Sequence, residues 1–308
     1  MTSLPAPTGH DGTRDAARIA HIAVGVSARP EGRDAAVLGA ALARATGADL
    51  MLITVIADPI VLPPIGVSWK WLRKEAQTGL AKIRDSVTPG ARVVVRTDLS
   101  VGRALRRVIA REHRDLLVVG SSGKAPEGSV RIGKRVRQLI GYADFPLAIA
   151  PRGIQNKPTI SLKLIGVGYD GGPESLSALS VAAAISVAAK AELRICGVVD
   201  DRAKSALWSS GDAPVVADLD DLVRRERDLL HDQAVDATSS LVPGARVDVR
   251  RGRPADVLLD LCADVDLLVI GSRRWGAVAR LLLGSTGESL AFHATCPILI
   301  VPRAANRQ

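Results

Sequence analysis

Hydrophobic positions along the chain fall into two alternating kinds of segment. Short, nearly unbroken apolar runs recur at residues 19–26 (IAHIAVGV), 49–57 (DLMLITVIA), 116–119 (LLVV) and 267–270 (LLVI). Runs of this length and composition predict strands buried on both faces, the signature of parallel strands inside a sheet. Between them the apolar positions recur every three to four residues. Residues 34–46 place Val37, Leu38, Leu42 and Ala45 on one helical face, and Gly47 follows as a helix stop. In the first half the pattern predicts further strands at 91–96 and 146–150, and further helices at 69–86, 102–112 and 134–140. The second half repeats this order. Its strands fall at 164–168, 192–199, 245–250, 267–270 and 297–301, and its helices at 175–190, 218–239, 254–263 and 285–294.

The repetition is legible residue by residue. PGARV occurs at 89–93 and again at 243–247; TGADL at 46–50 matches AKAEL at 189–193; FPLAIAPR at 145–152 matches CPILIVPR at 296–303. The offset changes from 143 to 154 between the first two matches, so the difference falls in the polar stretch 201–214, where insertion is tolerated. Two units of roughly 145 residues mean a duplicated domain, not a solenoid of 20–50-residue repeats. The expected division is a disordered tail at 1–17, a first domain at 18–152, a linker at 153–161 and a second domain at 162–304.

Each unit reads βαβαβαβαβ. Right-handed crossovers make this an α/β fold with a mostly parallel, doubly wound, five-stranded sheet in each tandem domain. Ligands of such sheets bind beyond the carboxyl ends of the strands, where the strand order reverses. That places Ser27 or Asp170 after the first strand, and Gly120 or Gly271 after the fourth, beside the crevice. The last strand of each unit is short and fenced by prolines, so it reads as an edge. Two such edges pairing would give one chain the form of a symmetric dimer.

Charge changes this picture only locally. The net charge is +9, but residues 1–155 hold 23 Lys and Arg against 13 Asp and Glu, and residues 156–308 hold 18 against 19. The basic excess therefore belongs to the first half, where Arg131, Lys134, Arg135 and Arg137 form a cluster around the glycine loop. No aromatic residue is interleaved there, which argues against single-stranded nucleic acid and for a solvated helix face. The three cysteines lack CxxC spacing, and the five histidines lack metal-ligand spacing, so no metal site or disulfide framework is expected. The first residues contain no apolar core of a secretory signal, and no run is long enough to span a bilayer. A cytoplasmic protein is the expectation.

The motif with chemical content is strand, glycine turn, helix start. Residues 266–289 read DLLVIGSRRWGAVARLLLGSTGES, and residues 115–120 open the earlier copy with DLLVVG. The first N–H groups of a helix have no internal partners and point at an anion, and glycine permits close approach. Residues 128–134 (GSVRIGK) also match a P-loop pattern. Arg135 follows where Ser or Thr would hold Mg²⁺, and Gly128 follows no strand, so this is a chance match. No nucleophile pattern appears.

These marks, in order and duplicated, resemble the universal stress protein family. The resemblance rests on IGVGYDGGPES (165–175), CGVVD (196–200), GRPADVLLDLCADVDLLVIGSRR (252–274) and LLLGSTGESLAFHATCPILIVPR (281–303). It implies the universal stress protein fold, also described as adenine nucleotide alpha hydrolase-like, and a stress-response or regulatory role. Some members bind ATP through G-x2-G-x9-G-[ST] and an acid after the first strand. In the second unit Asp170 matches that acid, Val198 the position whose backbone lies near the base, Gly271 the first glycine, and Gly284, Ser285 and Thr286 the phosphate end. Arg274 replaces the second glycine and either blocks close approach or reaches a phosphate. In the first unit Gly120, Gly123 and Gly133 match all three glycines, while Lys134 replaces the hydroxyl residue and Ser27 the acid. The resemblance therefore implies ATP, with Mg²⁺ accompanying it, mainly in the second unit, without efficient turnover and with no catalytic residue. A module that binds protein partners and no nucleotide, a slow ATPase, and a further homodimer remain open.

Overall fold

The computed structural model describes residues 18–27, 30–57, 68–140, 143–157, 159–200, 219–274 and 281–303. The predicted tail, the loops at 59–66 and 201–214, Trp208 and Trp275 lie outside them. The first half runs β1 (His21–Gly25), α1 (Pro30–Thr46), β2 (Asp49–Ala57), α2 (Trp69–Val87), β3 (Arg92–Asp98), α3 (Val101–Arg111), β4 (Leu116–Gly120), α4 (Lys134–Ile140) and β5 (Leu147–Ala150). The second half runs β6 (Leu164–Tyr169), α5 (Pro173–Ala189), β7 (Glu192–Val199), α6 (Leu219–Ser239), β8 (Arg246–Arg251), α7 (Pro254–Leu261), β9 (Leu267–Gly271), β10 (Arg273–Arg274), β11 (Leu281–Leu282), α8 (Ser285–His293) and β12 (Ile298–Val301).

Ten strands form one sheet in the order β3-β2-β1-β4-β5-β12-β9-β6-β7-β8. Within this sheet every pairing inside a half is parallel. The two proline-fenced strands do meet: β12 pairs antiparallel with β5, Leu299 opposite Ala148. Alternate residues of the strands feed two cores, one on each face. Ile22, Val24, Leu116, Val118, Ile165, Val167, Leu267 and Val269 point to one; Leu117, Val119, Leu147, Ile149, Leu268, Ile270, Ile298 and Ile300 point to the other. Both cores run through both halves, which is why the strands read as unbroken apolar runs.

The acid that precedes the fourth strand of each unit has a structural task. Asp115 Oδ2 accepts from the N–H groups of Ala20 and His21 at 2.9 and 2.8 Å. Asp266 Oδ2 accepts from Lys163 and Leu164 at 2.7 and 3.0 Å. Each carboxylate ties the start of the first strand to the fourth, so these strands are adjacent where the crevice opens at their other ends.

Two elements begin earlier than the periodicity predicts. The stretches at 27–33 and 170–174 read as turns, yet α1 starts at Pro30 and α5 at Pro173. Proline lacks the N–H that the first helical turn leaves unused, so it opens these helices instead of breaking them. Asp34 consequently sits inside α1 and is buried. Its two oxygens accept from the N–H groups of Gly153 and Gln155 at 2.9 and 3.1 Å. The predicted linker is thus held against the first half, with a turn of 3-10 helix at Ile154–Asn156.

The duplication supplies its own controls. Gly47, after α1, has φ +70°; its counterpart after α5, Lys190, holds the same left-handed conformation at φ 53° and ψ 40°. That conformation costs an L-residue roughly 1–2 kcal/mol. Lys190→Gly is therefore expected to raise unfolding stability by about 1 kcal/mol. Gly120→Ala is expected to lower it by about 1–3 kcal/mol, because a Cβ there would lie 2.1 Å from the backbone oxygen of Glu31. Urea denaturation of both variants beside the parent checks both signs.

Candidate functional site

Each half carries one crevice between the carboxyl ends of its first and fourth strands. The second-half cavity is about 440 Å³, within the roughly 300–1,000 Å³ range of small-molecule sites. Asp170 and Val198 reach it from the ends of β6 and β7, Gly271 from β9, and Gly284, Thr286 and Gly287 from the start of α8. Glu174, Ser175, Cys196, Leu258 and Ile270 complete much of the wall. Ser285, predicted with its neighbours, is exposed and is not among the lining residues. The backbone at Arg274 belongs to a two-residue ribbon, β10 paired with β11, flanking residues that lie outside the description. The side chain of Arg274 lies outside it too.

The start of α8 has the features of an anion cradle. Its N-cap is Gly284, which offers no side-chain oxygen to the helix. The first internal bond is Glu288 N–H to the Gly284 carbonyl, 2.8 Å, so the preceding turn of N–H groups has no helical acceptor. The partial positive charge of a helix N-terminus adds to this. Asp170 is exposed at the cavity edge; Oδ1 accepts from Gly172 N–H at 3.0 Å. Glu174 Oε1 faces Arg303 Nη1 at 3.9 Å. Gly271 has a packing reason to be glycine, since a Cβ would lie 2.5 Å from the Glu174 backbone.

The first-half cavity, about 360 Å³, brings together Ser27, Gly120, Gly123, Gly133 and Lys134. Here two glycines are explained by Glu31, which sequence reasoning missed. A Cβ at Gly120 would strike its carbonyl oxygen at 2.1 Å, and a Cβ at Gly123 would strike its carboxylate Oε1 at 2.0 Å. Only Gly133 has room, with Ser122 Cβ its nearest neighbour at 3.6 Å.

The loop between these glycines is committed to the other half. Val130 N–H donates to the Ala294 carbonyl at 2.7 Å and Ile132 N–H to the Ala291 carbonyl at 3.0 Å, satisfying the carboxyl end of α8. Ser129 N–H donates to Pro126, and Arg131 N–H to Ser121 Oγ. The backbone groups a P-loop would turn toward phosphate are thus occupied, which disposes of the GSVRIGK match. Arg137 of the basic cluster lies 5.2 Å over the Phe292 ring and 3.6 Å from Glu288; it bridges the halves. Among the described residues no group of three His, Cys, Asp or Glu side chains could hold a metal. No helix among them is long and apolar enough to cross a membrane.

Comparison with known proteins agrees with the duplication. The family model described as the universal stress protein family matches twice, at residues 19–151 and 162–302. A universal stress protein of Mycolicibacterium smegmatis is 27% identical over 293 residues, covering 91% of this chain and 96% of that protein. One of Mycobacterium tuberculosis is 24% identical over 291 residues, with the same coverage of each. Among solved structures, a universal stress protein of Archaeoglobus fulgidus has TM-score 0.64 at 17% identity, covering 92% of this chain and 98% of that one. A functionally unknown Pseudomonas aeruginosa protein has TM-score 0.62 at 18% identity, covering 94% and 95%. At these identities the solved structures speak to fold alone.

Cys196 lines the second cavity without the character of a nucleophile. Burial is the main cause that pushes its thiol up from 9.0 to about 11. A two-unit rise means roughly a hundredfold less thiolate near neutrality. Iodoacetamide at pH 8, read by peptide mass spectrometry, is expected to label Cys196 at least about a hundredfold more slowly in the folded chain than in urea. The folded thiol's raised value also stabilises the fold below pH 9.0, and that contribution is lost as pH rises toward about 11.

Proposed function

The chain belongs to the universal stress protein family, and from that premise we propose that it is a stress-regulatory protein that reversibly binds an adenine nucleotide in its second half. The observation that carries this reading is the convergence on one cavity of Asp170, Val198 and the uncapped start of α8. Asp170 would accept from the nucleoside, Val198 would lie beside the base, and the N–H groups after Gly284 would receive phosphate. Any Mg²⁺ would arrive with the phosphates, since the described residues offer no ligand set of their own. The lining acids are Asp170 and Glu174. One is partly held by Gly172 and the other faces Arg303, so neither stands as a ready general base. The reading is of binding without efficient turnover.

Gly284→Asp is a sharp test. The N-cap backbone, φ −67° and ψ 175°, suits aspartate, a strong cap that stabilises helices by about 0.5–2 kcal/mol relative to alanine. The variant is expected to fold at least as well as the parent while its carboxylate covers the anion cradle. Titration calorimetry should give about one ATP per chain for the parent, an affinity at least about tenfold lower for Gly284→Asp, and a comparable loss for Asp170→Ala. Unchanged affinity in both variants would move ATP elsewhere. No heat from the parent at millimolar ATP, with no nucleotide released on acid denaturation, would favour a protein-binding module that uses no nucleotide.

A further inference from the structure

The two crevices differ in what their helix-start glutamate does. In the second half Glu174 faces Arg303, 3.9 Å away. The counterpart of Arg303 in the first half is Arg152, and its Nη1 donates instead to the Ala125 carbonyl at 2.7 Å. Glu31 therefore lacks the arginine its counterpart has. It folds toward the glycine loop, and it can do so because residue 123 has no side chain: a Cβ there would lie 2.0 Å from Oε1. The same position in the second half is Arg274. Glu31 Oε2 ends buried and, among the described residues, accepts no hydrogen bond. A buried acceptor without a donor is costly to the fold, and such groups call for an explanation in terms of a ligand or a role.

We propose that the first-half crevice binds a small molecule with an apolar body and an amino group that donates to Glu31, and that this carboxylate keeps phosphate out. The cavity wall supplies the apolar half of the match through Ile53, Val55, Val101, Leu105, Val119 and Leu139. Lys134 and Arg135 also line it, but both are exposed, where solvent and salt screen them; Glu31 is half-buried with its Oε2 covered, so it is screened less. A phosphate brought to the loop would meet a like charge already seated against Gly123. It would also meet a loop whose Val130 and Ile132 N–H groups are given to α8. Of the glycines that suggest a phosphate loop in the sequence, Gly120 thus makes room for the Glu31 backbone and Gly123 for its carboxylate.

The test uses the full chain and two probes of matched size, phenethylammonium and 3-phenylpropionate, followed by ligand-detected NMR and calorimetry. Phenethylammonium is expected to bind with a dissociation constant below about 1 mM, and 3-phenylpropionate to show no binding at the same concentration. Glu31→Gln, which keeps the shape and removes the charge, should weaken the ammonium at least about tenfold. Val101→Trp, which crowds the wall, should do likewise. Saturating ATP should leave ammonium binding unchanged, whether or not the second half takes nucleotide, so this outcome is separable from the nucleotide reading. Equal binding of the two probes, full affinity in Glu31→Gln, or displacement of the ammonium by ATP would each overturn the proposal.

Discussion

The antiparallel contact of β5 with β12 is the constraint on which the architecture depends. A five-stranded parallel sheet of this order leaves its last strand at an edge, with a row of unpaired backbone groups. Here each half covers the other's edge, and Leu147, Ala148, Ile149, Ile298, Leu299 and Ile300 are all fully buried as a result. The pairing also reverses strand direction between halves. The carboxyl ends of the two sets of strands, and hence the two crevices, lie at opposite edges of one ten-stranded sheet. Helix α8 runs between those edges. Its amino end lines the second crevice, and its carboxyl end is capped by the loop that borders the first.

A second constraint sets the shape of each crevice. The first helix of each half must pass close over the end of the fourth strand for the sheet and helix layers to pack. Contact is so close that Gly120 and Gly271 have no space for a methyl group against Glu31 and Glu174. The first glycine of the loop motif is therefore required by helix packing in both halves, whatever each crevice binds. The two halves differ in sequence at later positions of the motif: Gly123 against Arg274, and Lys134 against Ser285.

Much of the fold was legible because its strands are buried on both faces. Such strands write themselves as unbroken apolar runs, and the verbatim PGARV and the matched last strands fixed the duplication. The pairing of proline-fenced edges followed from what an uncovered edge would cost. Helix starts were less legible. Pro30 and Pro173 look like turn residues when only the chain is read, and their fitness for the first helical turn shows only once the helix is placed. The sequence pattern opens a helix at residue 34 and carries no sign of Asp34's burial, where the carboxylate accepts from the N–H groups of Gly153 and Gln155, far away in sequence. The lining of the candidate site was legible where it depends on strand ends and a helix start, since Asp170, Val198, Gly271, Gly284 and Thr286 meet at one cavity. Glu31 carries no signal in the sequence, because what marks it is its contact with Gly120 and Gly123, far away in the chain.

That last contact shows how duplicated domains diverge without losing their fold. The scaffold demands are identical in both halves: an acid tying the first strand, a glycine under the first helix, and apolar strands throughout. All are met twice. Beyond the loop residues, the halves also differ in the use of one arginine. Arg303 faces the crevice glutamate of its half, whereas Arg152 is drawn to the Ala125 carbonyl in the loop that docks on α8. The loop that covers α8 also holds Arg152 through the Ala125 carbonyl, and Glu31 lies against Gly123.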